Sequence, residues 1–278
     1  MIDLASYLQR IGYVGPREAS HAVLDAICAL QPASIVYENI DPLLGSPPLL
    51  SLPAVEDKLV AQRRGGYCFE QNVLLNAALA AMGMQVSSLV ARVVWMRPPD
   101  APTRARNHML LRVDIGNDSF IADAGFGGHM LNTPLKLVPA LVQRTPHAVL
   151  RITQDGELYS VETQLPDGWV PMYRFTLEPQ RAVDYEPLNW FTATHPSSIF
   201  CHNLLMERLM PDSRINLFND RLIVRHPGGM PRVRRIDRQA DFGQVIAEQF
   251  GLDLHQALIA SLYERIPKGL DQFVMPTA

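Results

Sequence analysis

Cysteine is scarce in this chain. Cys28, Cys68 and Cys201 are the only three in 278 residues, too few and too scattered for a disulfide framework. Neither charge dominates: 25 Lys and Arg stand against 28 Asp and Glu, a formal net charge of -3. That balance gives no overall basic footprint for nucleic acid or an anionic membrane, although a local pocket can still take a small anion. Long apolar runs are missing too. The longest, from Val73 to Met96, is interrupted by Asn76, Gln85, Ser87, Ser88 and Arg92, and Gly83 splits it into a helix-like and a strand-like half. Such a segment does not span a membrane. The opening residues lack the basic n-region, apolar run and small-residue cleavage site of a signal peptide. There is no Cys-x-x-Cys or His-Glu-x-x-His, so His195, Cys201 and His202 lack metal-ligand spacing. No repeat or low-complexity tract interrupts the chain. These absences lead us to expect a reduced, cytoplasmic protein without metal, nucleic-acid or membrane partners.

What is present is ample for a core, with 47% of residues hydrophobic and 19% charged. Residues 1–85 read as helical. Leu4, Tyr7, Leu8 and Ile11 fall at three-to-four spacing between a possible Asp3 cap and Gly12. A second helix follows Pro16 and puts Cys28 on its inner face, and a third runs from about Cys68 to Met82. After Gly83 the pattern changes to β. His108 to Ile115 alternates, with Met109, Leu111, Val113 and Ile115 on one side. Gly116-Asn117, Asp155-Gly156 and Pro166-Asp167-Gly168 mark successive turns. Beyond Pro187 the pattern mixes: a helix near 188–194, strands near 200–207, 215–219 and 222–225, then helices near 242–250 and 254–265. The expected architecture is α+β in three parts: a helical bundle over 1–85, a small antiparallel barrel over 86–187 and an α/β lid over 188–278.

Chemistry concentrates in Arg63-Arg64-Gly65-Gly66-Tyr67-Cys68-Phe69-Glu70-Gln71-Asn72. A cysteine that opens a helix faces unpaired N–H groups and the positive end of the helix dipole, surroundings that favour a nucleophilic thiolate. The alternative is a small buried hydrophobe, the commonest use of a free cysteine. A thiolate nucleophile needs a base, and a base needs an orienting partner. With a hairpin loop at Gly116-Asn117, Asp123 lies opposite Leu110 and His108 stands two residues along on the same face. Diagonal neighbours of this kind are roughly 7–8 Å apart at the backbone, within side-chain reach. A different loop length would separate them or turn them to opposite faces, so the spacing permits the pair without requiring it. Gly125-Phe126-Gly127-Gly128 is no dinucleotide fingerprint. It is either an ordinary turn or a place where backbone comes close to a ligand. Arg232, Arg234 and Arg235 read as a solvated face, and Glu70 as an acid well placed in a first helical turn.

Together these residues resemble the arylamine N-acetyltransferase family. The resemblance runs in order through Tyr37-Glu38-Asn39, Arg64 to Asn72, His108-Met109-Leu110-Leu111, Asp123 to Gly128, Tyr173-Arg174-Phe175 and His195 to Phe200. It implies a Cys-His-Asp triad of papain type, Cys68, His108 and Asp123. It also implies ping-pong transfer of an acetyl group from acetyl-CoA to an arylamine, arylhydrazine or hydrazide, with no permanently bound cofactor. The family's acceptor pocket maps onto Phe126 and Phe200 with Trp95 nearby, while Gly125 and Gly127 border the cleft. Asn107, where the family often carries threonine, falls at the coenzyme A contact. A homodimer is possible. The competing readings are a biosynthetic amide synthase of the same family, a cysteine hydrolase of papain or transglutaminase type, and a scaffold that keeps the fold without turnover.

Overall fold

Asp3 and Gly12 bracket the first helix as the sequence predicts. Helix α1 spans Leu4–Ile11; the Asp3 carboxylate accepts from the Ser6 amide, and Gly12 turns left-handed at the end. The structure, a computed structural model, describes residues 1–98 and 100–271. Helix α2 (His21–Ser34) starts on a Ser20 cap. A two-residue strand β1 (Tyr37–Glu38), a short α3 (Ile40–Leu43) and α4 (Leu52–Glu56) follow, the last continuing as a π-helical stretch, Asp57–Ala61. Helix α5 (Cys68–Ala81) is central and buried on nearly every side, which is why its apolar residues form no single stripe and its Glu70, Gln71 and Asn72 are buried as well.

Eight antiparallel strands then form a nearly closed barrel. They are β2 (Gln85–Val93), β3 (His108–Ile115), β4 (Asp118–Ala122), β5 (Leu135–Lys136), β6 (Gln143–Arg144), β7 (Val149–Asp155), β8 (Leu158–Leu165) and β9 (Gly168–Phe175), in the order β5-β4-β3-β2-β9-β8-β7-β6. The two edges meet through one side chain: Gln143 accepts from the Lys136 amide at 2.8 Å and donates to its carbonyl at 3.0 Å. Alternation sorts the residues. Leu89, Leu110, Ile152, Val161 and Phe175 fill the barrel, while Val90, Met109, Leu111 and Val113 pack with the helices. The hairpin between β3 and β4 turns at Gly116-Asn117, with Ile115 opposite Asp118. The next loop is Gly156-Glu157, one residue later than expected, and the third is Pro166-Asp167.

The C-terminal third holds α6 (Ala182–Thr194), a 3-10 turn (Ile199–Cys201), β10 (Leu205–Leu209), β11 (Arg214–Phe218), β12 (Arg221–Arg225), β13 (Arg232–Arg235), α7 (Gln239–Phe250) and α8 (Gln256–Arg265). Its sheet runs β1-β10-β11-β12-β13, and Met206, Leu217 and Leu222 pack beneath Phe242, Ile246, Phe250 and Leu262. Two expectations need correction. Helix α6 begins six residues before 188 and contains Pro187. Its start is fixed by Asp184, which accepts from the Arg181 amide. The bond lost at Pro187 falls on the carbonyl of exposed Val183, where water can substitute. The strand expected from 200 starts at Leu205, because Ser198 caps the 3-10 turn by accepting from the Phe200 amide. Arg232 and Arg234 are exposed as expected, on strand β13, while Arg235 pairs with Asp220 and Asp271.

Candidate active site

The head of α5 is held by charge from below. Glu70 reaches back to accept from the Tyr67 amide at 3.1 Å, the reciprocal arm of a capping box, and pairs with Lys58 at 2.6 Å. Lys58 also meets Asp41, and Arg64 meets Glu38 and Asp41 at 2.8 and 3.0 Å. Burial raises the Glu70 carboxyl to about 7 even against the Lys58 charge. Glu70 therefore does more than favour the helix dipole. It ties the turn before Cys68 to a mostly buried five-residue charge cluster. Tyr67 itself donates through its hydroxyl to Asn189 of α6.

The register expected for the β3–β4 hairpin carries His108 and Asp123 to the same place. His108 Nε2 and Asp123 Oδ2 are 2.7 Å apart, with side-chain exposures of 4% and 0%. The other carboxylate oxygen accepts from the Gly125 amide at 2.9 Å and from Asn72 Nδ2 at 3.1 Å. Burial would raise the Asp123 carboxyl, but the His108 charge and these hydrogen bonds hold it below the usual range. Burial would likewise strip the proton from His108. The Asp123 charge and hydrogen bond, with a smaller contribution from Cys68, outweigh it and hold the imidazolium up to about 10. With Nε2 committed to Asp123, Nδ1 is the nitrogen left for the thiol. The Cys68 Sγ also lies 3.9 Å from the Asn107 carbonyl oxygen. A buried thiol, an imidazole and an orienting carboxylate in this order can perform acyl transfer through a covalent thioester.

The other expected residues gather around this centre to different degrees. A Cβ on Gly125 would sit 2.5 Å from the Cys68 Cα, and one on Gly127 would sit 2.4 Å from the Tyr37 ring. The close approach these glycines permit is therefore to Cys68 and to the Tyr37 ring. Gly125→Ala should displace Cys68 from His108 and cut turnover about a hundredfold; equal rates of Cys68 alkylation in variant and parent would refute the displacement. Phe126 meets His108 edge-on at 5.2 Å, and Phe200 meets Tyr67 edge-on at 6.0 Å. The two rings belong to different clusters, Phe126 to the one inside the barrel and Phe200 to the rim of the helical one. Trp95 packs on His129 at 5.1 Å and against the barrel cluster that contains Phe126 and Tyr173.

Three residues were given no role from sequence. Asn72 donates to Asp123 and to the Met109 carbonyl and accepts from the Ala124 amide at 3.2 Å. Its position one helical turn after Cys68 was the available signal. Tyr173 lies buried with its ring 5.0 Å from His108, its phenol raised by burial and then by the Asp123 charge, and it makes no hydrogen bond of normal geometry. Glu207 of β10 accepts from the Gly128 and Met130 amides and faces Arg214 at 3.4 Å, anchoring the loop after Asp123 from another sheet. No sequence pattern links those positions. Among the described residues, no group of three or more His, Cys, Asp or Glu could hold a metal ion, and no helix is long and apolar enough to cross a membrane.

Comparison with known proteins gives consistent results. A family profile described as N-acetyltransferase matches residues 21–259. The arylamine N-acetyltransferase of Mycolicibacterium smegmatis is 39% identical over 273 residues, covering 97% of this chain and 99% of that protein. The arylamine N-acetyltransferase of Escherichia coli (strain K12) is 38% identical over 255 residues, covering 91% and 90%. Among solved structures, the arylamine N-acetyltransferase of Mycobacterium marinum in complex with CoA superposes with a TM-score of 0.90 at 33% identity, covering 95% of this chain and all of that one.

Proposed function

Because the chain belongs to the arylamine N-acetyltransferase family, we propose that Cys68, His108 and Asp123 carry its transfer of an acetyl group from acetyl-CoA to the nitrogen of an arylamine, arylhydrazine or hydrazide. The observation that carries the reading is the 2.7 Å His108–Asp123 contact assembled at the end of the helix that Cys68 opens.

In the first half-reaction the Cys68 thiolate attacks the thioester carbonyl carbon of acetyl-CoA. The new carbon–sulfur bond forms as the bond to coenzyme A breaks. His108 gives its proton to the departing thiolate, leaving neutral imidazole and acetyl-Cys68. In the second half-reaction the amine nitrogen attacks the acetyl carbon, neutral His108 takes a proton from that nitrogen, and Cys68 leaves as thiolate. The amide departs and the thiolate–imidazolium pair is restored. Asp123 keeps the ring in one orientation and stabilises its charged form. Phe126 and Phe200 would offer aromatic walls that suit a flat aromatic acceptor. Gly125, Gly127, Asn107 and Trp95 would border the cleft through which both substrates enter. The helical, barrel and lid parts, divided where β2 begins at Gln85 and α6 at Ala182, would then supply the nucleophile, the base pair and the cover. All three cysteines are free, which suits a reducing cytoplasm. The three reacting groups come from one chain, so a homodimer would repeat the site rather than complete it.

The test is intact-protein mass after mixing with acetyl-CoA alone, and again after adding 4-aminobenzoate or a hydrazide. One acetyl group mapping to Cys68, lost as amide forms, is the expected result. An unmodified protein under both conditions would remove the acetyltransferase reading.

A further inference from the structure

Beneath the head of α5 the chain makes an unusual turn. From Asp57 to Ala61 it is π-helical, and the Gln62 amide donates to the Asp57 carbonyl, five residues back, at 2.8 Å. Such turns are rare and are found most often at functional sites. This one carries Lys58, whose side chain is 14% exposed and whose ammonium sits 2.6 Å from both Asp41 and Glu70. The Lys58 carbonyl is engaged as well, accepting from the Arg64 amide at 3.0 Å. A lysine is seldom buried this far unless it is paired.

The two oxygens of Glu70 divide two tasks. Oε1 accepts from Lys58, and Oε2 accepts from the amide of Tyr67, the residue before Cys68. Gly66 packs on the same carboxylate, since a Cβ there would sit 2.7 Å from Oε2. Arg64 reaches Glu38 and Asp41 instead, so among the described residues Lys58 is the cation paired with Glu70. Burial lifts the Glu70 carboxyl, and the Lys58 charge is the first influence that pulls it back, to about 7. Without Lys58 the carboxyl would keep its proton at neutral pH, and a neutral carboxyl accepts more weakly than a carboxylate.

We propose that Lys58 is a positioning residue for the nucleophile: by holding Oε1 of Glu70 it presents Oε2 to the Tyr67 amide, and so fixes the helix head from which Cys68 extends. The inference rests on the reading of Cys68 as the acyl carrier and adds to it a residue outside the triad that acts only through Glu70. Exact placement matters here, because a shift of about 1 Å at a reacting group can cost a hundredfold in rate.

The experiment compares Lys58→Met, Glu70→Gln and the double variant with the parent, at a temperature where circular dichroism shows each folded. Two rates are read. One is alkylation of Cys68 by iodoacetamide, located by peptide mass. The other is single-turnover formation of acetyl-Cys68 over a range of acetyl-CoA concentrations. Each single variant should slow both about tenfold, with the half-saturating acetyl-CoA concentration within about twofold of the parent's. Glutamine has one acceptor oxygen to divide between Lys58 and the Tyr67 amide, and removing Lys58 as well returns that oxygen to the amide. The double variant should therefore be no slower than either single one, whereas independent residues would lose about a hundredfold together. Losses that multiply in the double variant would overturn the proposal, as would lowered thermal stability with unchanged rates. If Lys58→Met does not fold, Glu70→Gln decides: a tenfold loss supports the proposal, and rates within twofold of the parent leave Lys58 nothing to act through. Should acetyl-CoA leave Cys68 of the parent unmodified, the acyl-carrier reading fails, while the alkylation rates still judge Lys58.

Discussion

Replacing Cys68 by alanine is expected to lower acetyl transfer at least about 10⁴-fold, the scale on which removing a covalent nucleophile acts when its partners work as a unit. No second thiol can take over. Cys28 is buried and its thiol is pushed well up by burial, then by Asp25 and Asp123. Cys201 points its sulfur at the Ala193 carbonyl at 3.2 Å and is also raised by burial. The fold should survive, because the substitution removes one small atom from a helix head held by Glu70, Tyr67 and the charge cluster rather than by the sulfur. Thermal unfolding followed by circular dichroism should therefore shift by no more than about 1 kcal/mol. A variant retaining a tenth of the parent rate would exclude Cys68 as the acyl carrier.

Asp123→Asn is expected to have the second largest effect, roughly 10³- to 10⁴-fold on turnover, as when an orienting carboxylate is removed from a comparable triad. The exchange is nearly isosteric but removes the charge that holds the buried His108 imidazolium up to about 10. Burial is then opposed only by the smaller contribution of Cys68 and favours neutral imidazole near pH 7. Alkylation of Cys68 by iodoacetamide at neutral pH should slow about tenfold or more, since the thiolate loses its counter-ion. His108→Gln should slow it similarly. An unchanged alkylation rate in both would mean that thiol and imidazole are not coupled.

The same pair sets a pH window for stability. His108 is raised from 6.5 to about 10 in the folded chain, so its contribution is complete below pH 6.5 and is lost as pH rises through 10. Asp123 is lowered from 3.8, so its contribution is complete above that value and is lost as pH falls through the folded one. The destabilisation caused by Asp123→Asn should therefore be greatest between about pH 4 and 6.5 and shrink toward pH 10. Urea unfolding at several pH values would measure it, and a pH-independent difference would contradict the linkage.

How much of this was legible depends on whether the signal is local. The His108–Asp123 meeting followed from a two-residue loop and strict alternation, so one turn motif placed two residues fifteen apart. The cap and stop of α1 were legible for the same reason. Strand β1 was not, since two residues carry no periodicity and its partner Glu207 lies 170 positions away. The role of Gly125 was half legible: a close approach was one of two readings, but nothing local named Cys68 as a neighbour. Pro187 suggested a boundary, yet the local cost was absorbed at an exposed carbonyl. Glu207 was invisible because its task, holding amides 128 and 130, exists only after two sheets have docked.

Tyr37 and Glu38 add the outer strand to a sheet whose other members all lie beyond residue 204. Asn39 extends that join, donating to the Phe200 and Asn203 carbonyls at 2.9 and 2.8 Å. During synthesis the early segment must therefore wait, with its strand edge open, until the last third of the chain has emerged. Contacts of such long separation are made slowly. An unpaired edge is also the part of an immature chain most prone to wrong partners. Chains that terminate near residue 190 should thus be recovered mainly as aggregates, even though they carry Cys68, His108 and Asp123 intact.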